Sequence, residues 1–196
     1  MKSLNHVIVE VDKAYDNKLK LDNGLELTVN TSLENVTYIK REAQVLCAPE
    51  FTILKEGDGV ILHHNIFRLR NGIKGKLASS NYLIEDNKYF VPLTEIFMYQ
   101  RDGIWQALDP YCFIKPIKSE DKQHSGFLLS DNMFNDKTYK GNVKLHGTVE
   151  YPNKQMLDMG IKKGDIVVFS PHSEYEFNIG GEIYYRMKTT DIKIKL

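Results

Sequence analysis

Apolar side chains fall on every second position in several short runs of this chain. Val7, Val9 and Val11 do so near its start, and Ile192, Ile194 and Leu196 alternate with Lys193 and Lys195 at its end. That period places the apolar residues on one face of a half-buried strand. No window carries a helical stripe of apolar residues bounded by caps. The pattern therefore predicts an all-β protein of short strands joined by turns, folded into small barrels that close their own sheet edges.

The same landmarks occur twice, in the same order. Lys55-Glu-Gly57-Asp58-Gly-Val60-Ile61-Leu62 returns 107 residues later as Lys162-Lys-Gly164-Asp165-Ile-Val167-Val168-Phe169, each a Gly-Asp turn feeding an apolar strand. The opening strand from His6 to Lys13 matches Tyr111 to Lys118 at an offset of 105, and Gly24-Leu25-Glu26-Leu27 matches Gly126-Phe127-Leu128-Leu129 at 102. Gln44 to Pro49 matches Gly147 to Pro152 at 103, and Thr94-Glu95-Ile96 matches Thr190-Asp191-Ile192 at 96. Collinear self-similarity at this period predicts two copies of one small domain. The expected boundaries are 1–102 for the first domain, 103–109 for a linker and 110–196 for the second. The first copy carries about eleven more residues between Leu62 and Thr94, expected in the turn-rich segment 71–81.

Charge narrows the function. Lys plus Arg and Asp plus Glu number 26 each, so no bulk field draws the chain to nucleic acid or to anionic membranes. No run approaches the roughly 20 apolar residues that span a bilayer, and Met1 to His6 lacks the apolar core of a secretory signal. A cytoplasmic protein is expected. Cys47 and Cys112 sit in strand-like runs, where a thiol behaves as a small buried hydrophobe.

Catalytic chemistry is hard to place. No nucleophile elbow, phosphate loop or dinucleotide fingerprint is present, so no enzyme activity and no cofactor are expected. His63 and His64 are adjacent, and neighbours on a strand point to opposite faces, so the pair is read as structural and no metal site is expected. Gly180-Gly181 reads as a hairpin turn. Aromatic runs such as Tyr89-Phe90 and Tyr175-Glu-Phe177 are read as packing rather than as base-stacking platforms.

The order of landmarks resembles the GroES-type co-chaperonin (chaperonin-10) family, as two GroES-like small β-barrels in tandem, of plastid or phage type. The likeness is strongest in the second half, through Gly164 to Phe169 and the ending Ile183 to Ile192. It implies a ring-forming lid for the ATP-bound ring of a GroEL-type chaperonin, with no ATPase of its own. In that family a loop presents an apolar tripeptide to the chaperonin, which by position implies Leu25, Glu26 and Leu27 in the first half and Phe127, Leu128 and Leu129 in the second. Glu26 departs from the apolar pattern. Short apolar anchors in a loop that must be ordered give specific but weak binding.

The resemblance further implies a homo-oligomeric ring, alone or with a single-domain co-chaperonin, in which the first strand (Val7, Val9, Val11) and the last (Ile192, Ile194) are edges covered by neighbouring domains. The roof hairpin of many members has no counterpart in Glu50–Glu56 or Asn153–Lys163, which implies a dome open at its apex or closed by shorter turns. The rival reading is a ring-forming structural or assembly protein of the same fold that has lost chaperonin binding.

Overall fold

The computed structural model describes residues 3–12, 18–20, 26–28, 41–71, 77–117, 123–124, 127–128 and 145–196. Its contacts cluster into two units that divide between Trp105 and Gln106. In the first, β1 (Val7–Glu10), β4 (Glu42–Cys47), β5 (Gly59–Leu62), β8 (Leu83–Glu85), β9 (Lys88–Val91), β10 (Ile96–Arg101) and β11 (Ile104–Ala107) form one sheet. β2 (Lys18–Lys20) with β3 (Glu26–Thr28), and β6 (Arg70–Asn71) with β7 (Leu77–Ala78), form separate hairpins. The second unit builds its sheet from β12 (Tyr111–Pro116), β15 (His146–Tyr151), β16 (Ile166–Phe169), β17 (Tyr175–Ile179), β18 (Glu182–Lys188) and β19 (Ile192–Lys195). Outside that sheet lie the hairpin of β13 (Gln123–His124) with β14 (Phe127–Leu128) and one short helix, α1 (Lys154–Asp158).

The two sheets share one strand order. The first runs β10-β5-β4-β1-β9-β8, with β11 added outside β10, and the second runs β19-β16-β15-β12-β18-β17. Both opening strands carry a register shift against their inner neighbour, between Ile8 and Val9 and between Phe113 and Ile114. The all-β class holds, and neither order returns to its start, so each barrel-like unit leaves its sheet unclosed. Among the described residues the sheet ends, β11 and β8 in one unit and β19 and β17 in the other, are not joined by backbone hydrogen bonds.

The Gly-Asp turns are built alike. Gly57 and Gly164 take φ of 89° and 91°, a region open to glycine at little cost. Their N–H groups donate to Val45 O and Val149 O, both at 2.8 Å, while Val45 N and Val149 N donate to Asp58 O and Asp165 O, also at 2.8 Å. Each Asp carboxylate accepts the amide three residues back, Lys55 N and Lys162 N, at 2.7 Å. Each also pairs with a basic residue that ends a neighbouring strand, β10 or β19: Asp58 with Arg101 and Asp165 with Lys195, both at 2.6 Å. The register refines one expected offset, because Glu10 faces Gln44 and Lys115 faces Thr148, which pairs β4 with β15 at 104 rather than 103.

Alternation explains the cores. Val7 and Val9 are fully buried while Ile8 and Glu10 are half-buried. In the second unit Cys112, Ile114, Val149, Met156, Ile161, Val167, Phe169 and Met187 form one cluster. Phe113 points the other way and is equally buried, with edge-on contacts to Phe177 at 5.7 Å and Tyr151 at 6.3 Å. Arg186 lies between the rings of Tyr111 and Tyr175, 5.0 Å from each. α1 is capped by Asn153, whose side chain accepts from Met156 N at 2.8 Å and donates to Thr189 Oγ1 at 2.7 Å.

The longer connection of the first unit includes the expected segment and extends beyond it on the N-terminal side. It covers residues 63–82, against 170–174 in the second unit, and it opens with a 3-10 helix, His64–Phe67, whose Ile66 and Phe67 are core residues. The β6–β7 hairpin accounts for the part expected at 71–81. Residues 103–109, expected to be a linker, contain β11.

Candidate functional site

Two residues of each expected docking tripeptide, Glu26 with Leu27 and Phe127 with Leu128, fall on the second strand of a two-stranded pair outside the main sheet. In β2–β3, Leu19 faces Leu27 and Lys20 faces Glu26. In β13–β14, Gln123 faces Leu128 and His124 faces Phe127. Leu25 and Leu129 lie outside the described residues. Each hairpin belongs to the connection between the two central strands of its sheet, β1 to β4 and β12 to β15.

The expected seam residues are placed unequally. β1 pairs with β4 on one side and β9 on the other, so Val7 and Val9 belong to an interior strand with no free ladder, not to the expected edge, and Val11, just past its end, is buried and donates its N–H to Asn87 O. β19 does end its sheet: Ile192 is half-buried and Ile194 is 55% exposed. Its counterpart β10 carries β11 outside it. An edge strand with exposed apolar side chains is a ready template for another strand.

The histidine pair needs correcting. β5 stops at Leu62, and His63 caps the following 3-10 helix with Nδ1 accepting from Asn65 N at 3.0 Å. The rings of His63 and His64 therefore stack, with centroids 4.3 Å apart, instead of facing opposite sides of a strand. Burial, with the charges of Arg41 and Arg68, holds His64 below its ordinary pKa. Among the described residues no three His, Cys, Asp or Glu side chains converge where they could hold a metal ion. Neither cysteine is in a disulfide, and burial pushes the Cys112 thiol up to about 12, far from a reactive thiolate. Among the same residues no helix is long and apolar enough to cross a membrane.

Two features were not foreseen. One is the pair of Asp clamps, whose bases differ in place: Lys195 stands opposite Val167 as Tyr99 stands opposite Val60, while Arg101 reaches Asp58 from two residues further along its strand. The other is the pair of apolar tips between β4 and β5 and between β15 and β16, where Phe51, Ile53, Leu157 and Met159 are exposed.

Comparison with known proteins bears on the second unit directly. The family described as "Chaperonin 10 Kd subunit" (Cpn10) matches residues 105–196. The co-chaperonin GroES of Rhodothermus marinus is 34% identical over 79 residues, 40% of this chain and 78% of that protein. The chain belongs to the chaperonin 10 family. The co-chaperonins GroES of Thermotoga neapolitana, 36% identical over 83 residues (42% of this chain, 85% of that protein), and of Thermus thermophilus, 35% over 80 residues (40% and 78%), agree. The chaperonin 10 match does not extend to the strands of residues 7–101. The first unit shares with the second its strand order and its Gly-Asp turn.

Proposed function

We propose that the chain is a co-chaperonin with two chaperonin 10 domains in tandem, which caps a GroEL-type chaperonin in its ATP-bound state and assists protein folding in the cytoplasm without hydrolysing ATP itself. One observation carries the reading: the unit that matches the family bears Phe127 and Leu128 on a hairpin outside its sheet, where an apolar anchor can reach a partner. The first unit supports the tandem through its identical strand order and through Glu26 and Leu27 on the equivalent hairpin. Glu26 makes that second anchor the weaker one, since a carboxylate gains nothing from an apolar groove.

Capture of a GroEL-type chaperonin in the presence of nucleotide tests this. Phe127→Ser removes one large apolar anchor, about 2–3 kcal/mol and so roughly 30- to 140-fold in affinity per domain, a loss that multiplies when several domains of a ring bind together. A nucleotide-dependent complex that Phe127→Ser abolishes is the expected result. No nucleotide-dependent complex would favour the ring-forming structural protein, and equal nucleotide-dependent capture of variant and wild type would remove Phe127 from the docking contact.

The ring itself is proposed to close through β19. Ile194→Asp places a charge on the exposed side of that edge without touching the core. Native mass spectrometry is expected to show loss of the oligomer with an unchanged far-UV spectrum. An oligomer as stable as wild type would remove β19 from the seam.

A further inference from the structure

Where the long connection of the first unit begins, one histidine nitrogen has two competing partners. His63 Nδ1 accepts from Asn65 N at 3.0 Å, which caps the 3-10 helix His64–Phe67, and the same nitrogen lies 3.6 Å from Glu95 Oε2. An imidazole nitrogen accepts an amide only while it carries no proton, and the ring pairs with a carboxylate as an ion only once it is charged. The two contacts therefore belong to two protonation states. Beyond the cap, Ile66 and Phe67 are core residues, Ser80 Oγ donates to Ile66 O at 2.5 Å, and Phe67 meets Tyr89 edge-on at 5.1 Å. The far end of the helix is thus tied to the core, and the cap holds its near end.

The second unit has the same backbone here without the same chemistry. His63 N donates to Glu95 O as Ser170 N donates to Asp191 O, both at 2.9 Å, and Leu62 N donates to Arg41 O as Phe169 N donates to Leu145 O, both at 2.8 Å. Serine stands in place of His63 and leucine in place of Arg41. Asp191 is engaged by the Lys188 amide at 3.1 Å, and residues 170–174 hold no 3-10 helix.

The groups around the imidazole set the direction of the response. Glu95, from the turn before β10, favours the cation. His64 stacks on His63 with centroids 4.3 Å apart, and burial, then the charges of Arg41 before β4 and Arg68 beyond the helix, keep it below its ordinary pKa, so it adds no positive charge. Phe97 of β10 lies edge-on at 5.6 Å. We propose that His63 is a pH-sensitive latch: in acid the imidazolium leaves the Asn65 amide for Glu95, and the entry to the first unit's long connection opens while the sheet stays paired. The capped form binds one proton fewer, so a fall in pH favours the open one, within the range of about pH 5 to 8 where histidine titrates.

Nitrogen NMR of the full, isotope-labelled chain tests the latch. The imidazole shifts report which nitrogen of His63 holds the proton, and exchange of the Asn65 amide reports the cap. At about pH 8 the proton is expected on Nε2. Between about pH 8 and pH 5 the Asn65 amide, corrected for its intrinsic exchange rate, is expected to lose about tenfold in protection, the size of a lost cap. The amides of Val45 and Leu62, bonded to Asp58 O and Arg41 O, are expected to keep theirs. His63→Asn retains a capping side chain that does not titrate, and its Asn65 protection is expected to stay flat. Glu95→Gln withdraws the attraction for the cation and is expected to move the loss to lower pH. Protection unchanged with pH in wild type, or a proton found on Nδ1 at about pH 8, would overturn the latch. So would a loss that persists in His63→Asn, or a midpoint that Glu95→Gln leaves in place.

Discussion

Gly147→Ala is expected to destabilise the second unit by about 3 kcal/mol, the upper end of the overpacking range, and to lower its melting temperature by roughly 12–24 °C. A methyl group at Gly147 would sit 2.5 Å from Ile114 Cγ2 and 2.6 Å from the carbonyl oxygen of Lys115. Ile114 is fully buried and has no room to turn away, and the carbonyl is backbone. β12 and β15, the two central strands, would have to separate at the pair Pro116 and Gly147. The register puts Ala43 at the equivalent place in the first unit, so a Cβ is accommodated there and not here. Gly164→Ala is the useful control, since its φ of +91° is strained for alanine but nothing lies within 4 Å of the added carbon. Urea titration should find Gly164→Ala the milder change. A Gly147→Ala protein within about 1 kcal/mol of wild type would show that the central pair is more yielding than its packing implies.

The contrast between those two glycines also shows what sequence could and could not tell. The Gly-Asp turns were legible because their chemistry is local: glycine supplies a positive φ, aspartate accepts an amide three residues back, and an apolar strand follows. The pairing of β4 with β15 was read one residue off because Pro49 and Pro152 served as anchors, and the turns after them differ in length, one holding α1. Whether β1 is an edge is a property of its neighbours, and nothing in Val7 to Val11 records that β9 returns to its open side. The histidine pair was misjudged for a related reason: a strand that ends at Leu62 has no alternation left to impose on residue 63. The proposed docking tripeptides were placed by position in the repeat, while the apolar tips were passed over because each lies in a turn whose exposure only the fold reveals.

The two Asp clamps, alike in outline, are expected to differ sharply when broken. Asp58 is buried and receives both Arg101 Nε at 2.9 Å and Nη2 at 2.6 Å, a fork that a single lysine cannot reproduce. Asp58→Asn leaves the guanidinium facing an amide and is expected to cost about 2 kcal/mol, less than the 3–5 of a fully buried pair because Arg101 keeps a third of its side chain in solvent. Asp165→Asn should cost clearly less, since both Asp165 and Lys195 are partly exposed and water can replace the lost bond. Acid sharpens the comparison. Burial pushes the Asp58 carboxyl upward, but the hydrogen bonds from Arg101 and the Lys55 amide, together with their charges, hold it below its ordinary 3.8. A depressed carboxyl contributes stability that is fully present above its unfolded value and is lost as pH falls through the folded one. Wild type should therefore lose this contribution only below about pH 3.8, and Asp58→Asn should show a shallower acid limb because it has already lost it. Equal stability of wild type and Asp58→Asn at pH 7, or parallel acid limbs, would mean that Arg101 holds the tip through Ile53 O alone and that the carboxylate adds nothing.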